Sequence, residues 1–221
     1  MMSYRHLPSA SPAAASVAKR FLDVVVSAAA LLLLAPVLAV IGLCVRCFLG
    51  EPALFRQRRP GYRERPFVMW KFRTMRTAVS AAGVELPDRE RLTPFGRLLR
   101  RSSLDELPEL WNVIKGEMSL VGPRPLRMDY LAYFESRERL RFAVRPGITG
   151  WAQIHGRNLT PWDERLARDV WYVENWSFWL DVRILFGTVA RILKPDDVIA
   201  DPSSVLRNFD EERRERRMAN A

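Results

Sequence analysis

The sequence contains little cysteine and little histidine, which limits the kinds of site that it can form. Its 221 residues include only two of each. Cys44 and Cys47 form a C-x-x-C pair at the end of an apolar run, and no further cysteine or nearby histidine completes a metal site. A redox pair is one interpretation, but a structural role for two small apolar side chains is favoured. The sequence therefore gives no sign of a disulfide framework or an exported domain.

Charge is absent from Val24 to Val45. As a straight helix this run would extend roughly 33 Å, at about 1.5 Å per residue, which is enough to cross a bilayer. A secretory signal peptide with Lys19 and Arg20 as its basic region is an alternative. However, the run is longer than a typical signal core, and no clear small-x-small cleavage site follows it. The run therefore predicts a membrane segment.

Two details argue against a simple crossing. Pro36 lies in the middle of the run, where it removes a backbone hydrogen bond and bends a helix. Basic residues flank both ends, and the positive-inside tendency would place both ends in the cytoplasm. We therefore predict a re-entrant helix over residues 19–50 that bends at Ala35-Pro36, and favour it over a spanning helix. The flanking basic residues are Lys19, Arg20, Arg46, Arg56, Arg58 and Arg59.

The formal charge of +10 is dominated by arginine. This balance indicates anionic partners, which could be phosphates, anionic lipid or nucleic acid. A membrane-tethered nucleic-acid binder is one alternative, but no helix-turn-helix or RNA-binding motif stands out and the basic residues cluster around carboxylates. A non-catalytic membrane scaffold is another. We therefore predict no nucleic-acid partner.

Beyond the apolar run, the pattern predicts a fold that is mostly α with a small β-hairpin. Residues 53–58 and 66–73 are apolar-basic segments on either side of a turn at residues 59–62, which is typical of a hairpin. Thr93 and Pro94 are the expected cap and first residue of a short basic helix. Further helices are predicted over residues 107–114, 126–141, 161–176 and 178–194, with loops over residues 77–91 and 145–150.

The chain is predicted to have four parts. Residues 1–18 are a flexible tail rich in Ala, Ser and Pro, and residues 19–50 are the re-entrant helix. Residues 51–202 form a compact catalytic domain at the membrane surface, and residues 203–221 are a charged tail that we expect to be solvated. Aromatic residues between 162 and 179 fit either a core seam or an interfacial belt.

Two adjacent carboxylates, Asp105 and Glu106, lie at the predicted start of a helix. If Ser103 is the N-cap, Glu106 completes a capping box. If Asp105 caps the helix itself, Pro108 falls in the first turn, where its missing N–H is harmless. Either way Asp105 lies near the positive end of the helix, which favours the carboxylate and creates an anion site.

Helix neighbours diverge by roughly 100°, so the two carboxylates can perform different tasks. One can attack phosphorus as a covalent nucleophile while the other holds Mg²⁺ beside substrate phosphates. The alternative is that both residues only cap the helix.

Basic side chains surround the acidic pair, and arginine forks bind phosphate oxygens with two hydrogen bonds. Lys71 and Arg73 alternate with Phe72, so on a strand both face one side. Arg101 directly precedes the acidic segment, and Arg124 is held between two prolines. For any single arginine, a solvated surface role is the alternative.

Four segments occur in an order that resembles the bacterial sugar transferase family, the monotopic polyprenyl-phosphate phosphoglycosyl transferases. The resemblance covers roughly residues 19–202, and residues 169–175 and 177–181 add to it. Without further N-terminal membrane spans, the chain resembles the small form of the family. The four segments are residues 71–75, 103–108, 120–125 and 145–150.

The resemblance implies transfer of a sugar-1-phosphate from a UDP-sugar to polyprenyl (undecaprenyl) phosphate with release of UMP, the initiating membrane step of glycoconjugate assembly. The implied mechanism is ping-pong, with a covalent phosphosugar on Asp105 and with Mg²⁺ held by Asp105 and Glu106. The phosphate-binding residues that we expect are Lys71, Arg73, Arg101, Arg124 and Arg145.

The resemblance also implies a location. The enzyme would lie in the bacterial inner membrane with its catalytic domain on the cytoplasmic face, and a homodimer is left open. Pro36 corresponds to the break in the family's re-entrant helix. Many relatives have serine before that proline, whereas this chain has Ala35, so Pro36 alone must supply the bend.

Overall fold

The described part of the chain is mostly helical, with a β-hairpin and a pair of short parallel strands, which confirms the predicted fold class in outline. The computed structural model describes residues 13–77, 86–156, 160–193 and 208–219. The predicted N-terminal tail and the predicted loop over residues 77–91 lie partly outside these residues.

The bounds of the elements are as follows. The helices are α1 (Ala13–Leu33), α2 (Ala35–Leu49), α3 (Asp88–Arg91), α4 (Pro94–Arg101), α5 (Glu109–Lys115), α6 (Trp151–His155), α7 (Trp162–Glu174), α8 (Phe178–Leu193) and α9 (Phe209–Ala219). The strands are β1 (Leu54–Pro60), β2 (Pro66–Phe72), β3 (Ser119–Val121) and β4 (Gly147–Thr149). Short 3₁₀ turns cover Tyr62–Glu64, Leu104–Glu106, Met128–Tyr133 and Glu138–Ala143.

The apolar run forms two helices with a sharp bend between them. Pro36 lies in the first turn of α2, where it has no N–H to continue the hydrogen-bond ladder of α1. The segments Val17–Leu33 and Ala35–Leu49 meet at 65°. Within the described ranges no lone helix is long and apolar enough to cross a bilayer, whereas this bent pair satisfies both criteria when its halves are taken together.

The start of α1 is bonded to the rest of the domain through its polar side chains. Lys19 Nζ donates to the carbonyl of Val121 at 3.1 Å and forms an ion pair with Asp181. Arg20 donates to two carbonyls near the end of α5, at 2.7 and 2.8 Å. Asp23 accepts the backbone N–H of the middle residue of β3 at 3.1 Å. The bent pair is therefore part of the folded domain and is not joined to it by a flexible tether.

The predicted hairpin is confirmed. Strands β1 and β2 pair antiparallel, from Leu54 opposite Phe72 to Pro60 opposite Pro66. The reversal lies further along the chain than predicted, at the 3₁₀ turn Tyr62–Glu64, because Pro60 still belongs to β1.

The hairpin packs between two apolar clusters. Phe67 and Met69 belong to the main core, which also includes side chains from α5, α7 and α8. Phe72 points to the opposite side and packs with Val45 and Leu49 of α2. Successive strand residues alternate between the two faces, so β2 connects the bent pair to the core.

Residues 145–150, predicted as a loop, contain a strand. β4 pairs parallel with β3, so the loop is constrained by backbone hydrogen bonds. The backbones approach so closely here that a Cβ added at Gly147 would lie 2.1 Å from the amide nitrogen of Gly122. Glycine is therefore required at this point of contact.

The continuous helix predicted over residues 126–141 is wrong. The segment forms two 3₁₀ turns separated by residues 134–137, and the backbone of Phe134 is extended. Leu126, Tyr130 and Phe134 are spaced four residues apart and so suggest a helix, but they pack into an aromatic cluster with Trp162 and other rings. Packing in this cluster outweighs local helix propensity.

The charged C-terminal segment, expected to be solvated, forms α9 and docks on the domain over residues 208–219. Phe209 is fully buried within the aromatic cluster. Arg213 is also buried and pairs with Glu135, Glu138 and Asp163. The arginines of this segment therefore include structural as well as solvated ones.

Of the aromatic residues between 162 and 179, some are buried as in a core seam and others are exposed as in an interfacial belt. Trp162 is buried in the aromatic cluster, as a core seam requires. Trp179 is 76% exposed, as an interfacial residue would be.

Candidate active site

Asp105 and Glu106 lie on a 3₁₀ turn between α4 and α5, and neither predicted cap forms. Ser103 adopts a left-handed backbone conformation with φ 56°, and its side chain makes no capping hydrogen bond. Pro108, rather than Asp105, precedes α5 at the N-cap position. The left-handed residue reverses the chain after α4, and the acidic pair is therefore presented on a tight turn.

Glu106 is held by two cations from different elements. Lys71 of β2 donates to Glu106 Oε1 at 2.7 Å. Arg124 donates to both carboxylate oxygens, with Nη1 3.3 Å from Oε2 and Nη2 bonded to Oε1. Burial alone would raise the pKa of Glu106, but the charges and hydrogen bonds of Arg124 and Lys71 hold it well below its usual range. Glu106 is therefore ionised at neutral pH, and Lys71 and Arg124 hold its carboxylate in place.

Glu109 is a third carboxyl group in the cluster, and it is not among the site residues predicted from the sequence. Its side chain is 2% exposed, and its Oε1 lies 3.0 Å from Lys71 Nζ. Burial raises the pKa of Glu109 to about 7, and the nearby charge of Glu106 adds to the increase. The signal was present in the sequence, since Glu109 follows Asp105 by four residues and Glu106 by three, the spacing of one helical face.

Asp105 differs from both glutamates. Its residue is 8% exposed, and within the described residues no cation lies within ion-pair distance of its carboxylate. Burial and then the charge of Glu106 raise the pKa of Asp105 to about 6, opposed by the charges of Lys71, Arg124 and Arg100. The carboxylate is therefore mostly ionised at neutral pH but is not neutralised by direct contact, which suits a nucleophile.

The position of Arg124 is set by a buried ion pair behind it. Arg141 Nη2 donates to the backbone carbonyl of Arg124 at 2.7 Å and to Asp169 Oδ2 at 2.8 Å. The side chains of Arg141 and Asp169 are 2% and 3% exposed. The backbone that carries Arg124 is therefore fixed to α7 before any ligand arrives.

Further positive charge lies beside Arg124. Burial, and then repulsion from Arg124 and Arg127, lower the pKa of Arg59 to about 10. Within the described part of the chain, the buried Nε of Arg59 has no hydrogen-bond partner. An anion with several oxygens, such as a diphosphate, would neutralise the positive charge of Arg59 and Arg124 and accept hydrogen bonds from their guanidinium groups.

The structure places the expected phosphate-binding residues in several different surroundings. Lys71 and Arg124 meet at the acidic pair, as described above. Arg73 donates instead to the carbonyl of Glu51 at 2.8 Å, and Arg145 donates to the carbonyl of Gly116 at 2.8 Å. Arg101 is exposed at the end of α4.

No cluster of three His, Cys, Asp or Glu side chains suitable for a metal ion occurs among the described residues. The oxygens of Glu106 are occupied by Lys71 and Arg124, so Glu106 would have to release a cation to bind a metal. The carboxylate of Asp105 is free to do so. Because Mg²⁺ commonly takes one or two carboxylates and completes its shell with substrate phosphates and water, Asp105 fits an ion that arrives with a diphosphate.

A buried carboxylate, a second carboxylate held by two cations and a bent apolar helix pair therefore lie within one domain. Residues 14–195 match the sequence model of the bacterial sugar transferases, and the chain belongs to this family. The family resemblance inferred from the four motifs is thus confirmed.

Three relatives illustrate the match. The chain is 52% identical over 154 residues to the uncharacterized sugar transferase EpsL of Bacillus subtilis, covering 70% of this chain and 76% of EpsL. It is 41% and 40% identical to the UDP-glucose:undecaprenyl-phosphate glucose-1-phosphate transferases of Xanthomonas campestris and Caulobacter vibrioides. Those matches cover 80% and 81% of this chain, but 39% of the Xanthomonas protein and 71% of the Caulobacter protein.

Proposed function

We propose that this protein transfers a sugar-1-phosphate from a UDP-sugar to polyprenyl phosphate, with undecaprenyl phosphate as the acceptor and UMP as the released product. The observation that carries the proposal is the buried carboxylate of Asp105, which no cation of the described residues contacts, beside a Glu106 held by Lys71 and Arg124. The names of the Xanthomonas and Caulobacter relatives, which specify undecaprenyl phosphate and glucose-1-phosphate, support this acceptor and this type of transfer.

In the proposed first step, an oxygen of Asp105 attacks the β-phosphorus of the UDP-sugar. A bond forms between the carboxylate oxygen and phosphorus, and the bond from phosphorus to the bridging oxygen breaks. UMP leaves with the electron pair of that bond, and an acyl phosphate that carries the sugar remains on Asp105. In the second step a phosphate oxygen of the lipid attacks the same phosphorus and regenerates the carboxylate.

The other side chains of the site prepare this chemistry. The charges of Lys71 and Arg124 limit the rise in the pKa of Asp105, and Arg141 holds the backbone that carries Arg124. Arg59 adds a donor that can bind a diphosphate oxygen. Mg²⁺, bound with the diphosphate at Asp105 and at Glu106 if that residue exchanges a cation, would neutralise the charge that repels an anionic nucleophile.

The proposal also includes the membrane. The bent pair α1–α2 would enter the cytoplasmic leaflet of the bacterial inner membrane and return to the same face, so that the active site lies at headgroup height. A site fixed at this height brings the lipid phosphate close to the enzyme-bound phosphosugar, which lowers the entropic cost of their reaction. The 65° bend and the contacts of α1 with the domain support this placement.

The test is the release of UMP from a panel of UDP-sugars, with Mg²⁺ and undecaprenyl phosphate in nanodiscs. Wild type should release UMP with at least one sugar, and Asp105→Asn should show no release above background. Asp88→Asn, which removes an exposed carboxylate, is the matched control and should behave like wild type. Full turnover by Asp105→Asn, or no turnover by folded wild type with any sugar, would contradict the proposal.

A further inference from the structure

A cavity lies between the end of α2 and the start of the hairpin. Its volume is about 660 Å³, within the range of small-molecule sites. The side chains that line it combine three arginines with apolar groups. The lining includes Arg46, Glu51, Leu54, Phe55, Arg56 and Arg73.

The arginines of this cavity retain donors for a ligand. Arg46 pairs with the Glu51 side chain, and Arg73 Nη1 donates to the Glu51 carbonyl at 2.8 Å and to Thr77 Oγ1 at 3.2 Å. The guanidinium carbon of Arg56 lies 4.3 Å from the centroid of the Trp70 ring, a contact that uses its face. Since each guanidinium has five N–H donors, these contacts leave others available. Three arginines and one glutamate give the lining an excess of positive charge.

The apolar part of the cavity lies next to the bent pair. Phe55 in the lining is 46% exposed, and Phe48 in the last turn of α2 is 57% exposed. Aromatic rings that remain in solvent at the end of an apolar helix are suited to contact a hydrocarbon chain. A ligand that fits both parts has an anionic head and an apolar tail.

The strand register connects this cavity to the acidic pair. Phe55 pairs directly with Lys71, and paired residues of an antiparallel sheet share one face. Arg73 follows Lys71 by two residues and so continues on that face. Lys71 in turn bonds to Glu106, which adjoins Asp105. Arg56, in contrast, pairs with Trp70 and lies on the opposite face of the hairpin. Arg73 is therefore the phosphate ligand that connects the cavity to the face that carries the carboxylate cluster.

We propose that this cavity binds the phosphate monoester of the polyprenyl acceptor, with Arg46, Arg56 and Arg73 as its phosphate ligands. The inference rests on the proposed function and assigns a place to its second substrate. The donor diphosphate binds among Lys71, Arg59 and Arg124, and the acceptor approaches Asp105 from the side of α2.

The kinetic test uses Arg73→Gln, Arg56→Gln and the double variant. The KM for undecaprenyl phosphate in nanodiscs should rise at least tenfold, while the KM for the UDP-sugar should change by less than twofold. The control is Arg89→Gln, which removes one exposed arginine away from the cavity. An unchanged KM for the acceptor, or an equal rise in both KM values, would overturn the assignment.

A second measurement separates loss of acceptor binding from loss of folding. With labelled UDP-sugar, the arginine variants should accumulate more phosphosugar on Asp105 than wild type, because its discharge to the acceptor is slow. Only folded protein can form this adduct. Variants that show neither the adduct nor turnover would contradict an acceptor role, whereas inactive wild type would refute the proposed function itself.

The source of the phosphate is tested by competition. Undecaprenyl phosphate should protect Arg73 from an arginine-modifying reagent, whereas phosphatidylglycerol nanodiscs and inorganic phosphate at equal concentration should not. Equal protection by phosphatidylglycerol would show a general anionic-lipid site, and equal protection by inorganic phosphate would show a simple anion site. Either outcome overturns the acceptor assignment.

Discussion

At the residue scale, the neighbouring side chains of Asp105 and Glu106 differ because their partners differ. Lys71 and Arg124 contact Glu106 directly, whereas they influence Asp105 only through their charges. The result is one carboxylate of lowered pKa and one of raised pKa within a single 3₁₀ turn. Separated pKa values in adjacent acids are typical of catalytic sites.

The first prediction concerns pH. Asp105 must be ionised to attack, so kcat/KM for the UDP-sugar should rise with pH up to about 6, the raised pKa of this carboxyl, and then level off. Below that value the rate should fall about tenfold for each pH unit. Lys71→Met should move the rising limb to higher pH, because Lys71 lowers the pKa of Asp105. A wild-type profile that is flat from pH 5 to 7 would show that Asp105 does not control the rate.

The second prediction concerns stability. Burial raises the pKa of Glu109 to about 7 from an ordinary 4.5, so the folded state retains a proton that the unfolded chain releases. This contribution to stability is present below pH 4.5 and is lost as pH rises through 7. Glu109→Gln should remove this loss, of order 1–3 kcal/mol, in chemical denaturation at pH 5 and pH 8. Glu90→Gln, at an exposed position, should keep the pH dependence of wild type.

At the scale of secondary-structure elements, the ion pair between Arg141 and Asp169 connects a 3₁₀ turn, α7 and the loop that carries Arg124. Its function is positional, because it contacts only the backbone of Arg124. The loop would otherwise depend on the short strand β3 and on Gly122 for its position. The position of Arg124 therefore depends on the 3₁₀ turn that carries Arg141, on α7 and on the loop after β3.

The third prediction separates this positional function from stability. Asp169→Asn leaves a buried arginine without its counter-ion, which should cost about 3–5 kcal/mol in thermal unfolding. Replacing both partners, Arg141→Met with Asp169→Leu, should recover most of this stability. Activity should stay low in the double variant, because the carbonyl of Arg124 has lost its donor. Recovery of full activity would show that Arg141 does not position Arg124.

An element could be predicted from the sequence when the interactions that stabilise it lie within its own segment. Thr93 caps α4 as predicted, since its hydroxyl accepts from Gly96 N within the same turn. The hairpin, α7 and α8 likewise follow from patterns within each segment. The helix over residues 126–141 failed because the distant Phe209 and Trp162 complete its packing.

In the candidate site, too, the local features could be predicted and the contacts between distant residues could not. Asp105 and Glu106 stood out because they adjoin each other among basic residues, but their partners come from β2 and from the loop after β3. Sequence spacing could not show that Lys71 would reach Glu106 while Arg73 would turn to Glu51. Such choices depend on strand register and on where the hairpin meets α2.

At the scale of the whole molecule, α1 and α2 contribute to the core as well as to the proposed membrane segment. Ala30 and Leu31 pack against the main cluster, and Phe72 packs against α2. In the proposed membrane placement, the depth of the bent pair would therefore determine the height of the active site.

The fourth prediction tests the contact between α1 and α8. Lys19→Met leaves Asp181, which is 3% exposed, without its cation. Thermal unfolding in nanodiscs should show a loss of about 3–5 kcal/mol, in line with other broken buried pairs. Arg97→Gln, which removes an exposed charge on α4, should unfold like wild type. A loss below about 1 kcal/mol would mean that α1 is only loosely docked.

The fifth prediction tests the topology. In a Cys44→Ser background, native Cys47 and a cysteine introduced by Val17→Cys mark the two ends of the bent pair. Both should react with a membrane-impermeant maleimide in inside-out vesicles, and neither should react in right-side-out vesicles. Labelling of the two positions from opposite faces would show a spanning helix.

The bonds between α1 and the domain also affect how such an enzyme can evolve or be engineered. A segment that supplies Lys19, Arg20 and Asp23 to three other elements is not a detachable anchor. Residues 51–193 grafted onto a lipidated peptide would reach a bilayer, but their core would lack the packing and hydrogen bonds that α1 and α2 supply. Mutations in α1 that change membrane attachment should therefore also change catalysis, and the two properties cannot be altered independently.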